Sequence, residues 1–215
     1  ANPLTVECHG SFTDPGVTAN DACAGSLSVT ASGSVDVNTP GTYTLTYSAT
    51  DPAGNTGTAT RTVTVVDTTA PVVVCPAATS VSADANGLAT VPNVLGSVSV
   101  SDTCDPSPAI SQIPAAGTLV GLGTTIITVT AADATGNRAT CTTTLAVNDE
   151  TPPAVSCPAG TSAGADAACQ AAVPNVLASV TVTDNCDITP TLSQSPAAGT
   201  LVSLGATTIT VTATD

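Results

Sequence analysis

The chain has 215 residues and a formal net charge of -14, with sixteen acidic residues against Arg61 and Arg138, and its 42% hydrophobic content is mostly Ala and Val. A surface this acidic repels phosphates and excludes nucleic acid as a partner, and no apolar run approaches the roughly 20 residues of a membrane span. Phe12, Tyr43 and Tyr47 are the only aromatics, so small modules of this composition have thin cores and call for staples, which eight cysteines can supply in an oxidising, extracytoplasmic compartment.

In chain order, Thr42–Tyr47 and Thr58–Val65 alternate polar and apolar residues, and similar runs follow at Ser97–Ser101, Thr125–Thr130, Thr140–Val147, Ser179–Thr183 and Thr207–Thr212. A period of two sends one set of side chains to a core and the other to solvent, which predicts half-buried antiparallel strands. Between the runs lie turn-forming clusters such as Asp51-Pro52-Ala53-Gly54-Asn55. No segment carries the period of an amphipathic helix. The reading is an all-β chain of immunoglobulin-like two-sheet sandwiches.

A shift of 82 residues lays the chain on itself without gaps. Val91-Pro92-Asn93-Val94-Leu95 returns as Val173-Pro174-Asn175-Val176-Leu177, Cys104 as Cys186, and Pro114–Val120 as Pro196–Val202. Asp51, Gly54, Asn55 and Asp67 return as Asp133, Gly136, Asn137 and Asp149. Three tandem domains are expected, at 1–67, 71–149 and 153–215, joined by the proline-stiffened segments Asp67–Pro71 and Asn148–Pro153 into an elongated rod. In this frame the counterpart of residues 134–149 falls beyond Asp215 and that of Pro71–Cys75 before Ala1. The first domain is thus expected to lack its first strand and the third its last, and Ala1 reads as a mature or trimmed end.

Chemistry is sparse. His9 is the only histidine, no Cys-x-x-Cys occurs, and no nucleophile stands beside a base, so no enzyme and no zinc site is expected. Asp67, Asp102, Asp105, Asp149, Glu150, Asp184 and Asp187, near domain ends, offer hard oxygens suited to a structural calcium ion; the same side chains also serve as turn formers. No cofactor besides such a calcium is expected. Abundant Thr and Ser on presumed solvent faces offer sites for O-glycans, whereas no Asn-x-Ser/Thr sequon is present. No lysine is present, which excludes Lys-Asn isopeptide cross-links within the chain.

Residues 71–76 with Cys75, Val91-Pro92-Asn93, Asp102-Thr103-Cys104-Asp105, Gln112–Gly117 and Asp133–Asn137 with Cys141 resemble the hyalin repeat, a family of extracellular immunoglobulin-like modules. The third unit repeats the pattern through Cys157-Pro158, Cys169, Asp184-Asn185-Cys186-Asp187 and Gln194–Gly199. The first unit is similar to a bacterial surface immunoglobulin-like domain through Asn2–Glu7, Phe12–Gly16 and the tyrosine strand ending in Asp51–Asn55. The resemblance implies Cys75 paired with Cys141 and Cys169 with Cys186, and Cys8 with Cys23 would be a separate bridge. Cys104 and Cys157 are then left over: unpaired thiols, bonds to another chain and a bridge between the two all stay open. The expected function is a structural subunit or repeat segment of an extracellular bacterial filament, self-associating with identical chains or flanking repeats, its incomplete end domains closed by a strand from adjacent chain. A non-polymerising stalk of a large surface adhesin is the alternative.

Overall fold

The computed structural model describes residues 3–215; Asn2 of the first-unit motif lies outside them. The structure is all-β. Its helical content among the described residues is two single 3-10 turns, Leu95–Ser97 and Leu177–Ser179. The strands in chain order are β1 (Leu4–Glu7), β2 (Ala19–Asp21), β3 (Gly25–Leu27), β4 (Thr30–Ser32), β5 (Gly41–Thr50) and β6 (Thr56–Val66). Then come β7 (Val72–Val74), β8 (Thr79–Ser82), β9 (Leu88–Thr90), β10 (Ser99–Ser101), β11 (Ala109–Ile113), β12 (Leu119–Gly121), β13 (Gly123–Ala132) and β14 (Arg138–Asn148). The last are β15 (Ala154–Ser156), β16 (Gln170–Ala172), β17 (Thr181–Thr183), β18 (Thr191–Ser195), β19 (Leu201–Ser203) and β20 (Thr210–Thr214).

The chain forms two compact units. The first comprises residues 1–76, 94–113 and 128–143, the second residues 77–93, 114–127 and 144–215. In the first unit, a four-stranded sheet runs in the order β1-β6-β5-β4, with β1 parallel to β6 and the others antiparallel. Alternation buries Leu45 and Tyr47 of β5 and Val63 and Val65 of β6, while the intervening Thr46 and Thr64 are only partly buried. Arg61 reaches Asp14 and the Tyr47 hydroxyl from β6, and its second amino group donates to the Gly16 carbonyl at 3.0 Å. That ion pair ties the loop before β2 onto the sheet. β7 pairs with β10, and β11 pairs with Thr128–Ala132 of β13.

In the second unit β8 runs parallel to Leu145–Asn148 of β14, and β9 pairs with β12. β15–β17, β16–β19 and β18–β20 repeat the registers of β7–β10, β9–β12 and β11–β13 at an offset of 82 residues. Ile127, Leu145, Val147 and Val91 are all buried. Such burial stabilises by about 1.5–3 kcal/mol per large aliphatic side chain.

Three strand expectations shift. The runs predicted at Ser97–Ser101 and Ser179–Thr183 begin in the 3-10 turns, because the Gln112 and Gln194 side-chain carbonyls take the Val94 and Val176 N–H groups at 2.9 and 3.0 Å. The run predicted at Thr207–Thr212 becomes a strand only from Thr210, where β18 lies opposite.

Candidate functional site

Three short loops carry the same device. In Asp21-Ala22-Cys23, Asp102-Thr103-Cys104 and Asp184-Asn185-Cys186, the aspartate Oδ1 accepts the N–H groups two and three residues on, at 2.8 to 2.9 Å. Asp and Asn favour such turns because a short side-chain acceptor replaces a backbone one. Each loop fixes its cysteine. The Asp21 and Asp184 carboxyls lie below their ordinary range, chiefly through these backbone donors.

The loops of the second and third repeats bring carboxylates together. Ligand atoms of Asp67, Asp102 and Cys104 lie within 4.8 Å of one another, and so do those of Asp149, Asp184 and Asp215. Asp67 is only 8% exposed, and burial first, then repulsion from Asp102, Asp133 and Glu7, pushes its carboxyl up. Asp133 is buried too, yet its carboxyl is lowered: burial is outweighed by the Asn137 side chain, the Thr135 hydroxyl and the Asn137 and Gly136 N–H groups. Those donors lie at 2.7 to 2.9 Å. The Asn137 amide also donates to the Asp67 carbonyl at 3.1 Å, tying the β13–β14 turn to the segment after β6. Oδ2 of Asp102 and Oδ2 of Asp184, 82 residues apart, are buried with no hydrogen-bond partner among the described residues.

Of the seven acids picked from the sequence, the structure therefore groups Asp67 with Asp102 and Asp149 with Asp184. Asp105, Asp187 and Glu150 stand outside these clusters. Asp105 accepts the Ser107 and Ala134 N–H groups at 2.8 and 2.9 Å, Asp187 accepts that of Thr189 at 2.8 Å, and Glu150 accepts the Ser82 hydroxyl. Asp215 was not among the seven; its 82-residue relation to Asp133 is the signal that finds it. The oxygen donors match calcium in type. Cys104 offers no thiolate to a cation, since it is in a disulfide.

Of the expected bridges the structure holds Cys75–Cys141 but neither Cys8–Cys23 nor Cys169–Cys186. Cys8 is bonded to Cys104, not Cys23, with Cα atoms 6.1 Å apart, and Cys75 is bonded to Cys141 at 5.7 Å. Cys23, Cys157 and Cys169 are exposed and unbonded, and Cys186 is half-buried and unbonded, so Cys169 and Cys186 do not form the implied bridge. The reason lies in the loops. Cys8 follows β1, its N–H held by the Val66 carbonyl at 2.7 Å, and its buried side chain meets the loop that Asp102 shapes. Cys23 projects from the exposed β2–β3 hairpin instead. Cys169 sits in an exposed turn with a left-handed φ of 58°. Cys186 lies against Gly87, where an added Cβ would stand 3.5 Å from its Sγ, and the Asn185 amide donates to the Asp84 carbonyl at 3.0 Å. Burial, then the Asp149 carboxylate, raises the Cys186 thiol.

The third repeat also holds an open cleft of about 450 Å³, lined among others by Cys157, Ala171, Val173, Val202, Ile209 and Val211. Ile209, Val211 and Ala213 are half-buried. Their counterparts Ile127, Val129 and Ala131 are wholly buried.

Residues 1–65 match the model of the bacterial surface protein, Ig-like domain, and residues 66–147 match the HYR domain. Among curated proteins, hyalin from Lytechinus variegatus is 34% identical over 126 residues, 57% of this chain and 24% of that protein. Hyalin from Strongylocentrotus purpuratus is 34% identical over 151 residues, 68% of this chain and 12% of that protein. The chain thus spans about a quarter or less of the length of these relatives. Among solved structures, a Bacteroides thetaiotaomicron lipoprotein is 26% identical with a TM-score of 0.30, covering 62% of this chain and 58% of that one. The extracellular cadherin domains 1–4 of protocadherin gamma B7 are 16% identical with a TM-score of 0.37, covering 91% of this chain and 62% of that one. The matched domains are structural or adhesion folds of extracellular and cell-surface proteins.

Proposed function

We propose that this chain, a surface immunoglobulin-like domain followed by an HYR domain, is a structural subunit or repeat segment of an extracellular bacterial filament, closed at its third repeat by a strand from adjacent chain, whether an identical copy or a flanking repeat. One observation carries the reading. β13 is flanked by β11 and β14, whereas β20, its counterpart, pairs only with β18 among the described residues. Ile209 and Val211 consequently line an open cleft where Ile127 and Val129 are sealed. An unpaired strand edge beside half-buried apolar side chains that line an open cleft accepts a strand in the manner of β-augmentation, with backbone hydrogen bonds supplying affinity and alternate side chains filling the cleft. The strand that fits has the alternation of β14, whose Leu145 and Val147 fill the equivalent space.

A peptide of residues 138–149 tests the cleft. Hydrogen exchange of the β20 amides should slow when the peptide is added and stay unchanged with a peptide in which Leu145 and Val147 are Asp. Electron microscopy of the native material tests assembly, since periodic filaments support the reading and single unassembled strands refute it. A stalk of a larger adhesin is the second reading, favoured by the small share of the hyalin relatives that the chain spans. O-glycans on exposed threonines such as Thr56, Thr58 and Thr60 of β6 would fit either role, and intact-mass measurement of the native chain detects them.

A further inference from the structure

The three Asp-x-Cys loops share their internal hydrogen bonds but differ in what they meet. Cys104 is bonded to Cys8, in the stretch that leaves β1. Cys186 abuts Gly87, in the stretch that leaves β8. These two stretches are equivalent, because β1 and β8 are the parallel strands of their sheets and each continues with the same backbone bond, Cys8 N–H to the Val66 carbonyl at 2.7 Å and Ala83 N–H to the Asn148 carbonyl at 2.8 Å. A rule of assembly is visible within the chain: the Asp-x-Cys loop of one repeat lies on the post-strand stretch of the repeat before it, and where that stretch presents a thiol in reach, the two are joined.

The third repeat presents such a thiol. Cys169 is the 82-residue counterpart of Gly87, and the turns that hold them match: Gly87 and Cys169 each donate to an aspartate carbonyl, of Asp84 and Asp166, at 3.0 Å. The Asp84 and Asp166 Oδ1 atoms each accept the next strand's first N–H at 3.0 Å, and both turn residues are left-handed, with φ of 71° and 58°. A thiol on the Gly87 position would face Cys186, and Cys169 is that thiol one repeat further on. In the first repeat Cys23 stands in its own Asp-x-Cys loop, exposed and unbonded.

We propose that Cys23 of one copy and Cys169 of a second copy form a disulfide that joins chains head to tail. The proposal rests on the filament reading above, and deepens it by assigning the covalent contact. A donor loop and an acceptor turn on one chain make a heterologous contact, which extends into an open filament unless its rotation closes a ring. The chemistry is thiol–disulfide exchange with a low-molecular-weight disulfide. One thiolate attacks the oxidant and expels one thiolate; the second protein thiolate attacks the mixed disulfide and expels the other. Two protein thiols are oxidised, one disulfide of the oxidant is reduced to two thiols, and the two protons pass to solvent or to the leaving thiolates.

The test uses the 215-residue protein in a glutathione redox buffer, read by non-reducing electrophoresis and by mass spectrometry of the linked peptides, with circular dichroism to verify that each variant is folded. The expected result is a reducible ladder whose linking peptides contain Cys23 and Cys169, unchanged in Cys157→Ser. Cys23→Ser and Cys169→Ser should each remain monomeric alone, and an equimolar mixture should stop at dimers. A ladder in Cys23→Ser, Cys23–Cys23 or Cys169–Cys169 peptides, a Cys169–Cys186 bond within one chain, or a wild type that stays monomeric would overturn the proposal. In native material, Cys23 or Cys169 joined to a cysteine from outside these 215 residues would overturn a second copy as the partner. Periodic filaments formed by folded Cys23→Ser would sink this bond while leaving the filament reading intact.

Discussion

Gly87→Cys converts the contact with Cys186 into a direct test of how consecutive repeats meet. The added Cβ would lie 3.5 Å from the Cys186 sulfur, close enough that a small side-chain adjustment brings the new sulfur to bonding distance. Positions 87 and 186 are 99 residues apart, and closing a loop of about 100 residues stabilises the folded state by about 4.7 kcal/mol in the chain-entropy model. Gly87 has a φ of 71°, so a side chain there costs roughly 1–2 kcal/mol, although Cys169 holds the same conformation in the next repeat. The net gain is about 3 kcal/mol, or roughly 6–12 °C in the midpoint of the transition that includes this contact. Thermal unfolding followed by circular dichroism, with and without reductant, measures it, with Gly87→Ala reporting the backbone cost alone. Titration of the oxidised variant should find one thiol fewer than the four unbonded cysteines of the parent. A variant with one thiol more, unfolding no later than Gly87→Ala, would refute the placement of the Asp184-Asn185-Cys186 loop on the Gly87 turn.

Ile127→Ala should destabilise its domain by about 2–5 kcal/mol, the cost of emptying a sealed site, whereas Ile209→Ala should cost less than half of that. In urea unfolding, equal losses at the two positions would refute the open cleft. Asp102→Asn keeps the acceptor for Cys104 and Asp105 while replacing a buried, unpartnered oxygen, in the cluster that includes Asp67, with an amide donor, so in chelator it should raise the melting temperature. A lower melting temperature than wild type in chelator would refute this account, and a stabilisation of wild type by added calcium that the variant loses would assign the cluster to a cation. Asp14 is held below the ordinary aspartate range because the Tyr47 hydroxyl, the Gly16 N–H and Arg61 outweigh the effect of burial. A lowered folded pKa gives stability that is present above the unfolded value near 4 and disappears as pH falls through the folded one. The acid side of the first domain's stability profile should therefore flatten in Asp14→Asn, and an unchanged profile would show that another carboxyl governs it.

Much of the fold was legible because alternation is a local property. Thr42–Tyr47 and Thr58–Val65 lie inside β5 and β6, and Asp51 with Asn55 and Asp133 with Asn137 close the following turns with the same side-chain bonds at 2.8 Å. The errors came from partners that a period cannot display. Nothing in Ser97–Ser101 reveals that a glutamine side chain across the module captures the Val94 amide and curls the start of the run. Likewise Thr207–Ile209 alternates like its counterpart, but β11 spans only Thr128–Ala132 of β13. The remaining stretch is a strand in the second repeat because β14 lies beside it, and among the described residues no such neighbour flanks it in the third.

The cysteines draw the line most clearly. Length, charge, alternation and the 82-residue spacing determined from the sequence alone an acidic, all-β, repeating chain whose aspartates recur at matched places, because each depends on residues close in the chain or on simple comparison along it. Which thiols meet depended on where loops 96 residues apart, such as those of Cys8 and Cys104, are carried by the strands beneath them. A disulfide requires two Cα atoms within about 7 Å. Only the tertiary structure brings the Asp-x-Cys loop of one repeat onto the post-strand stretch of the repeat before it.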